Sequence, residues 1–129
     1  MPDCAVLVVE DDHDSCDGIV EVLHLEGYRA LGAGNGREAL EILRAGRFAP
    51  DVILIDLWMP TMSGPEFREA LLADPRFTRI PVVACTGDTT GPTLRQTLGT
   101  LEKPIDIDAL LSIVHRGCGV RHGGHMISA

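Results

Sequence analysis

The chain alternates between two apolar rhythms. Residues 5–9 (AVLVV) and 52–55 (VILI) are unbroken apolar runs, and Ile80–Cys85 is nearly so. Runs of that length and composition are the mark of strands buried on both faces of a parallel sheet. Between them the spacing turns helical. Cys16, Ile19, Val20 and Leu23 recur at i, i+3, i+4 and i+7, and Gly27 is placed to end that helix. A weak second strand follows at Tyr28–Leu31, then an Asn35-Gly36 turn and a helix face of Ala39, Leu40 and Leu43. Pro50 precedes a third strand, Asp51–Ile55. Gly64 and Pro65 open a helix with Phe67, Ala70 and Leu71 on one side. Leu101 lies in a short fifth strand. Asp106 is an N-cap for a last helix that turns Ile107, Leu110, Leu111 and Val114 inward.

Repeated strand–helix pairs predict an α/β domain with a parallel sheet and right-handed crossovers. Helices on both faces make it doubly wound, with the ligand crevice outside the carboxyl ends of the strands. The 129 residues suit one domain, and no internal repeat or second domain is visible. From Gly117 the chain is glycine-rich. The expected division is therefore a folded domain over 1–117 and a disordered tail over 118–129. A formal charge of −8 argues against a nucleic-acid footprint, which would be basic. No apolar run is long enough for a membrane span, and the first residues carry no signal-peptide pattern. Cys4, Cys16, Cys85 and Cys118 are scattered, without a CxxC pair. That favours a reduced cytoplasmic setting over a disulfide framework.

Four of the strands deliver chemistry to the same edge. The first ends in Glu10 and Asp11, the third in Asp56, the fourth in Thr86 and the fifth in Lys103. Carboxylates crowded at one edge repel unless a cation or phosphate chemistry uses them. Add a hydroxyl and an ammonium, and the set suits phosphoryl transfer, which needs mainly position and charge neutralisation. An aspartate can accept a phosphoryl group as an acyl phosphate.

Read in order, LVVEDD (7–12), LIDLWMPTMSG (54–64), VVACTG (82–87) and EKP (102–104) resemble the receiver domain of two-component response regulators, over residues 5 to about 115. The resemblance implies a flavodoxin-like, doubly wound, five-stranded parallel sheet in the order 2-1-3-4-5. It implies Asp56 as phosphoacceptor, with a sensor histidine kinase or histidine phosphotransfer protein as donor. Asp11 is implied as a direct Mg²⁺ ligand and Glu10 as a second, often through water. Asp56 and the backbone carbonyl of Trp58 would complete the metal site, which Mn²⁺ can also fill. Thr86 and Lys103 would each hold a phosphoryl oxygen, and Lys103–Pro104 would be a cis peptide. Such a protein is not an enzyme beyond its own phosphorylation and dephosphorylation. With no DNA-binding effector domain, it would be a single-domain type that signals through a downstream protein target.

Two features depart from that family. Between Thr86 and Lys103 there is room for a fourth helix only from Pro92 to Leu98, short or irregular. Members also carry an aromatic residue three positions before the lysine; here it is Thr100.

Several residues have plainer readings. Trp58 is equally a packing residue or a flap that limits water at the phosphoryl group. His13 reads as a surface residue. His115, Cys118, His122 and His125 are zinc-ligand types, but their spacing fits no finger and a solvated tail is the better reading. Val22 and Leu25 either widen the core stripe or form a docking patch for a kinase or phosphotransfer helix. The competing function is a pseudo-receiver that binds partners without taking phosphate. A hydrolase would want a carboxylate two positions beyond the nucleophile, where Trp58 stands. A nucleotide carrier would want Gly, Ser or Thr amides where EDDHDS (10–15) stands.

Overall fold

The computed structural model describes residues 4–59, 61–88 and 93–123. In chain order they form β1 (Ala5–Val9), α1 (His13–Leu25), β2 (Arg29–Ala33), α2 (Gly36–Ala45), β3 (Val52–Asp56), α3 (Gly64–Leu72), β4 (Val82–Thr86), β5 (Gly99–Glu102) and α4 (Ile107–Gly123). The strands make one parallel sheet in the order β2-β1-β3-β4-β5. This is the doubly wound arrangement that the strand–helix alternation predicts.

Burial follows the apolar pattern. Every residue of β1, β3 and β4 is buried, whereas β2 and β5, at the sheet edges, alternate. Leu7, Val9, Ile53, Ile55, Val82 and Ala84 face one side and pack with α2 and α3. Val6, Val8, Val52, Leu54, Val83 and Cys85 face the other and pack with α1 and α4. Adjacent residues of a strand thus feed two separate cores, which is why these strands read as continuous apolar runs. The weak second strand is longer than expected. Arg29–Ala33 has few strand-forming side chains, and its pairing with β1 supplies what propensity does not. Helix ends follow local chemistry. Asp12 caps α1, Asn35 caps α2, and Ser63 and Glu66 form a reciprocal capping box on α3.

The β4–β5 crossover has no helix over residues 93–98; Pro92, where the short helix was expected to begin, lies outside the described residues. Instead Leu94 drops into the α2–α3 core and the chain turns at Arg95–Gln96, with Gln96 at φ 52°. Arg68 of α3 holds this turn. Its Nε and Nη2 each donate to a carbonyl, of Arg95 and of Gln96, at 2.8 Å. Its side chain is buried, and Nη1 has no partner among the described residues. Few residues are available here, so two charge-assisted hydrogen bonds do what a helix's packing would have done.

Two further expectations are corrected. The C-terminal helix does not stop at Gly117: α4 runs to Gly123, and only residues 124–129 of the anticipated tail, His125 among them, lie outside the described residues. The cysteines are not all thiols. Cys4 and Cys118 form a disulfide with Cα atoms 5.9 Å apart, while Cys16 and Cys85 are free and buried. A separation of 114 residues hides this pairing from any local spacing rule.

Replacing Arg68 with methionine keeps most of the apolar stem but strips both donors from the turn. The expected loss is about 2 kcal/mol in urea unfolding. Glu69→Gln, which breaks only the exposed ion pair with Arg95, is expected to cost less than about 0.5 kcal/mol.

Candidate functional site

The carboxyl ends of β1 and β3 bring Glu10, Asp11 and Asp56 together, with one oxygen of each within 4.8 Å of the others. Glu10 and Asp56 are buried, and Asp11 is exposed. Parallel pairing of β1 with β3 places Val9 opposite Ile55, so the acids that follow them emerge side by side. Gly64 lets α3 begin close against this edge. A Cβ there would stand 2.9 Å from the Asp56 carbonyl oxygen and from Leu57 Cα.

Lys103 reaches in from the far side. Its Nζ donates to Glu10 Oε1 at 2.8 Å and lies 3.4 Å from Asp56 Oδ2. The Lys103–Pro104 peptide is cis. Lys103 N–H also donates to the Thr86 carbonyl, which ties its backbone to the end of β4. The Trp58 amide donates to Asp56 Oδ1 at 3.2 Å, while the Trp58 residue is 56% exposed. Thr86 is buried on the next strand, where Asp56 pairs with Cys85. Its hydroxyl donates to the Asp88 carbonyl and accepts from the Asp88 amide, both at 3.0 Å. Glu10, Asp56 and Lys103 therefore form one group of close charges with Asp11 nearby, and the Thr86 hydroxyl is engaged in a turn of its own.

Charge explains how the carboxylates divide. Burial pushes Asp56 up to about 7, and the neighbouring Glu10 adds to this; Lys103 and the Trp58 amide pull only partly the other way. Burial also works against an ionised Glu10, but Lys103, the Asp12 amide and Asp56 outweigh it and hold Glu10 below its ordinary range. Burial opposes the charge on Lys103 as well, yet the two carboxylates keep its ammonium above the usual value. The balance favours charge on Glu10, beside Lys103, and disfavours it on Asp56. Hard oxygen donors with excess negative charge fit a small divalent cation such as Mg²⁺. Cys85 is no competing nucleophile, because burial pushes its thiol up to about 12.

A groove of about 440 Å³ adjoins the site. Ile19, Val22, Ile105, Ile107 and Leu110 line it, with Glu10 and Lys103 at the acidic end. Leu25 is 78% exposed and is not part of that lining. Sequence reasoning missed two contributors. Asp12 donates its amide to Glu10 while its side chain caps α1. Ile105 follows the cis proline as a groove wall, and no periodicity marks it. Of the zinc-ligand types near the C-terminus, His115 is exposed and Cys118 is in the disulfide.

The profile of the response regulator receiver domain family matches residues 6–115. The chain belongs to that family. It is 36% identical over 113 residues to Protein Rrf1 of Nitratidesulfovibrio vulgaris, covering 86% of this chain and 80% of that protein. It is 30% identical over 114 residues to sporulation initiation phosphotransferase F of Bacillus subtilis, covering 86% and 90%. Among solved structures, the chemotaxis response regulator CheY4 of Vibrio cholerae aligns with a TM-score of 0.78 at 31% identity, over 89% of this chain and 98% of that one. This receiver domain therefore belongs with two-component signalling proteins, whose receivers interact with histidine kinases or phosphotransfer proteins and bind Mg²⁺. Among the described residues no helix is long and apolar enough to cross a membrane.

The pH dependence of stability follows from Asp56. Its proton leaves at about 7 in the folded chain and near the ordinary 3.8 when unfolded. The folded state therefore binds more protons between those values. The associated stability is complete below about 4 and is lost as pH rises through about 7. In the absence of divalent cation, Asp56→Asn is expected to stabilise the protein by about 1–3 kcal/mol at pH 8. The gain should shrink as the pH falls below 7, as urea titrations at pH 8 and pH 5 would measure.

Proposed function

We propose that this receiver accepts a phosphoryl group on Asp56 from a sensor histidine kinase or histidine phosphotransfer protein, in a Mg²⁺-dependent reaction. It then signals in the cytoplasm by changing how it binds a downstream protein, not nucleic acid or membrane. The observation that carries this reading is the placement of Lys103, whose ammonium lies against both buried carboxylates at the strand ends.

Phosphoryl transfer from a phosphohistidine breaks the P–N bond, whose electron pair stays with the imidazole, and forms a P–O bond to an Asp56 carboxyl oxygen. Glu10, Asp11, Asp56 and the Trp58 carbonyl would hold the cation. When bound, it neutralises charge on the carboxylates and on the phosphoryl oxygens. Asp56 must be ionised to attack, so it gives up the proton that burial and Glu10 favour. Lys103 is placed to follow the charge from carboxylate to phosphoryl oxygen. The Thr86 hydroxyl can donate to a second phosphoryl oxygen only by giving up its donation to the Asp88 carbonyl, which couples occupation of Asp56 to the start of the β4–β5 crossover. The groove between α1 and the Ile105–Leu110 segment offers apolar seating for a donor helix next to the acid pocket. Catalysis is confined to the protein's own phosphorylation and dephosphorylation.

Acetyl phosphate with Mg²⁺ is expected to add one phosphate, seen in intact mass, which disappears with EDTA or with Asp56→Asn. No Asp56-dependent adduct would instead favour a pseudo-receiver that only binds partners. Once the adduct is formed, the flap reading of Trp58 predicts that Trp58→Ala shortens the phosphoryl half-life. An unchanged decay rate would make Trp58 a packing residue.

A further inference from the structure

The Cys4–Cys118 disulfide lies at the sheet edge opposite Asp56. Cys4 immediately precedes β1 and is 3% exposed, whereas Cys118 on α4 is half-buried. Six residue steps along β1 separate Cys4 from Glu10, about 20 Å of strand. The segment that the disulfide secures is a poor helix former, since Gly117, Gly119 and Gly123 all lie within α4.

Close packing accounts for the first of these glycines. A Cβ on Gly117 would stand 2.6 Å from Val52 Cγ2 and 3.2 Å from Leu98 Cδ2, so α4 sits on β3 at a distance that requires glycine. Past Cys118, which still packs partly against the core, the helix turns outward. A Cβ on Gly119 would meet nothing within 4 Å, and Val120 is 48% exposed. The covalent bond at Cys118 therefore reinforces a stretch of low helix propensity that is exposed at Gly119 and Val120.

We propose that Cys4–Cys118 is a thiol–disulfide switch, set by exchange with small thiols and disulfides of the glutathione class, whose state decides whether Gly117–Gly123 continues α4. Cys118, the more exposed residue of the pair, is the point of attack. A small thiolate bonds to Cys118 Sγ, the Sγ–Sγ bond breaks, and Cys4 leaves as a thiolate that takes up a proton. A second small thiol then attacks the mixed disulfide, releasing Cys118 as a thiol and one small-molecule disulfide. Two electrons pass from two thiols to the protein, and closure is the reverse. Cys16 and Cys85 are buried thiols outside this exchange.

The test uses the full chain purified without reductant. Alkylation after denaturation should mark only Cys16 and Cys85, and all the cysteines once dithiothreitol has been added. Across glutathione buffers from fully oxidised to fully reduced, the Cys4 and Cys118 label should appear progressively. In the reduced protein, amide exchange over 117–123 should quicken at least tenfold and the Tm should fall by about 10 °C. Cys118→Ser should match the reduced protein in every buffer; if that variant does not fold, oxidised and reduced wild type supply the same comparison. The proposal is overturned if all cysteines are reactive in the oxidised preparation or if the bond persists in reduced glutathione. Equal exchange over 117–123 in the two states would overturn it as well.

Discussion

Glu10 and Asp56 are two carboxylates on adjacent strands, both out of water and both within reach of one ammonium. Burial opposes charge on both, and Glu10 adds to that on Asp56. Lys103 resolves this for one of them. It favours charge on Glu10 and leaves burial and the neighbouring acid to oppose charge on Asp56. The constraint extends across the sheet. The acids come from β1 and β3, while the ammonium follows β5, so β4 must lie between with its end tied to Lys103 through the Thr86 carbonyl. The strand order is the condition for charge balance in the pocket.

The same constraint limits the crossover from β4 to β5. It starts at Thr86 and must return in register, with Val83 opposite Gly99 and Thr86 opposite Glu102. The chain economises by abandoning helix over residues 93–98 and fastening the turn to α3 through Arg68. α3 therefore contacts both parts of the device: its first residue packs against the Asp56 backbone and its fifth grips the turn. β5 carries Thr100 as an exposed residue, with no aromatic ring to move between core and solvent.

Most of the fold was legible in the sequence because central parallel strands bury both faces, and AVLVV, VILI and VVACT can hardly be read otherwise. The acid pocket was legible for a related reason: side chains that follow such runs must meet at one edge, which brings Glu10, Asp11, Asp56 and Lys103 together. What stayed hidden depends on contacts far apart in sequence. Arg68 looks like one more surface residue of an amphipathic helix until the carbonyls of Arg95 and Gln96 are seen to need donors. The weak strand Arg29–Ala33 exists because β1 pairs with it. The glycines of the last helix argued for a loose tail, since propensity counts Gly117 as a defect. Packing against Val52 makes that residue a requirement, and Cys4 lies too far away in sequence to be foreseen as a partner.

These features converge on α4. Lys103 and the cis Pro104 lie just before it, so its start is tied to the acid pocket, and Leu110 faces both the core and the groove beside α1. Its end is tied by Cys118 to the residue that begins β1. β1 in turn ends in Glu10, the acid that Lys103 holds. The chain thus closes a loop of constraint from Glu10 through Lys103, along α4 to Cys118, across to Cys4 and back along β1. One link is electrostatic and responds to the charge on Asp56, and another is covalent and responds to thiols. Because β1 is a buried strand hydrogen-bonded on both sides, it gives little along its length. A change at either link must therefore be absorbed mainly by α4, the element of the loop with a solvent-exposed face.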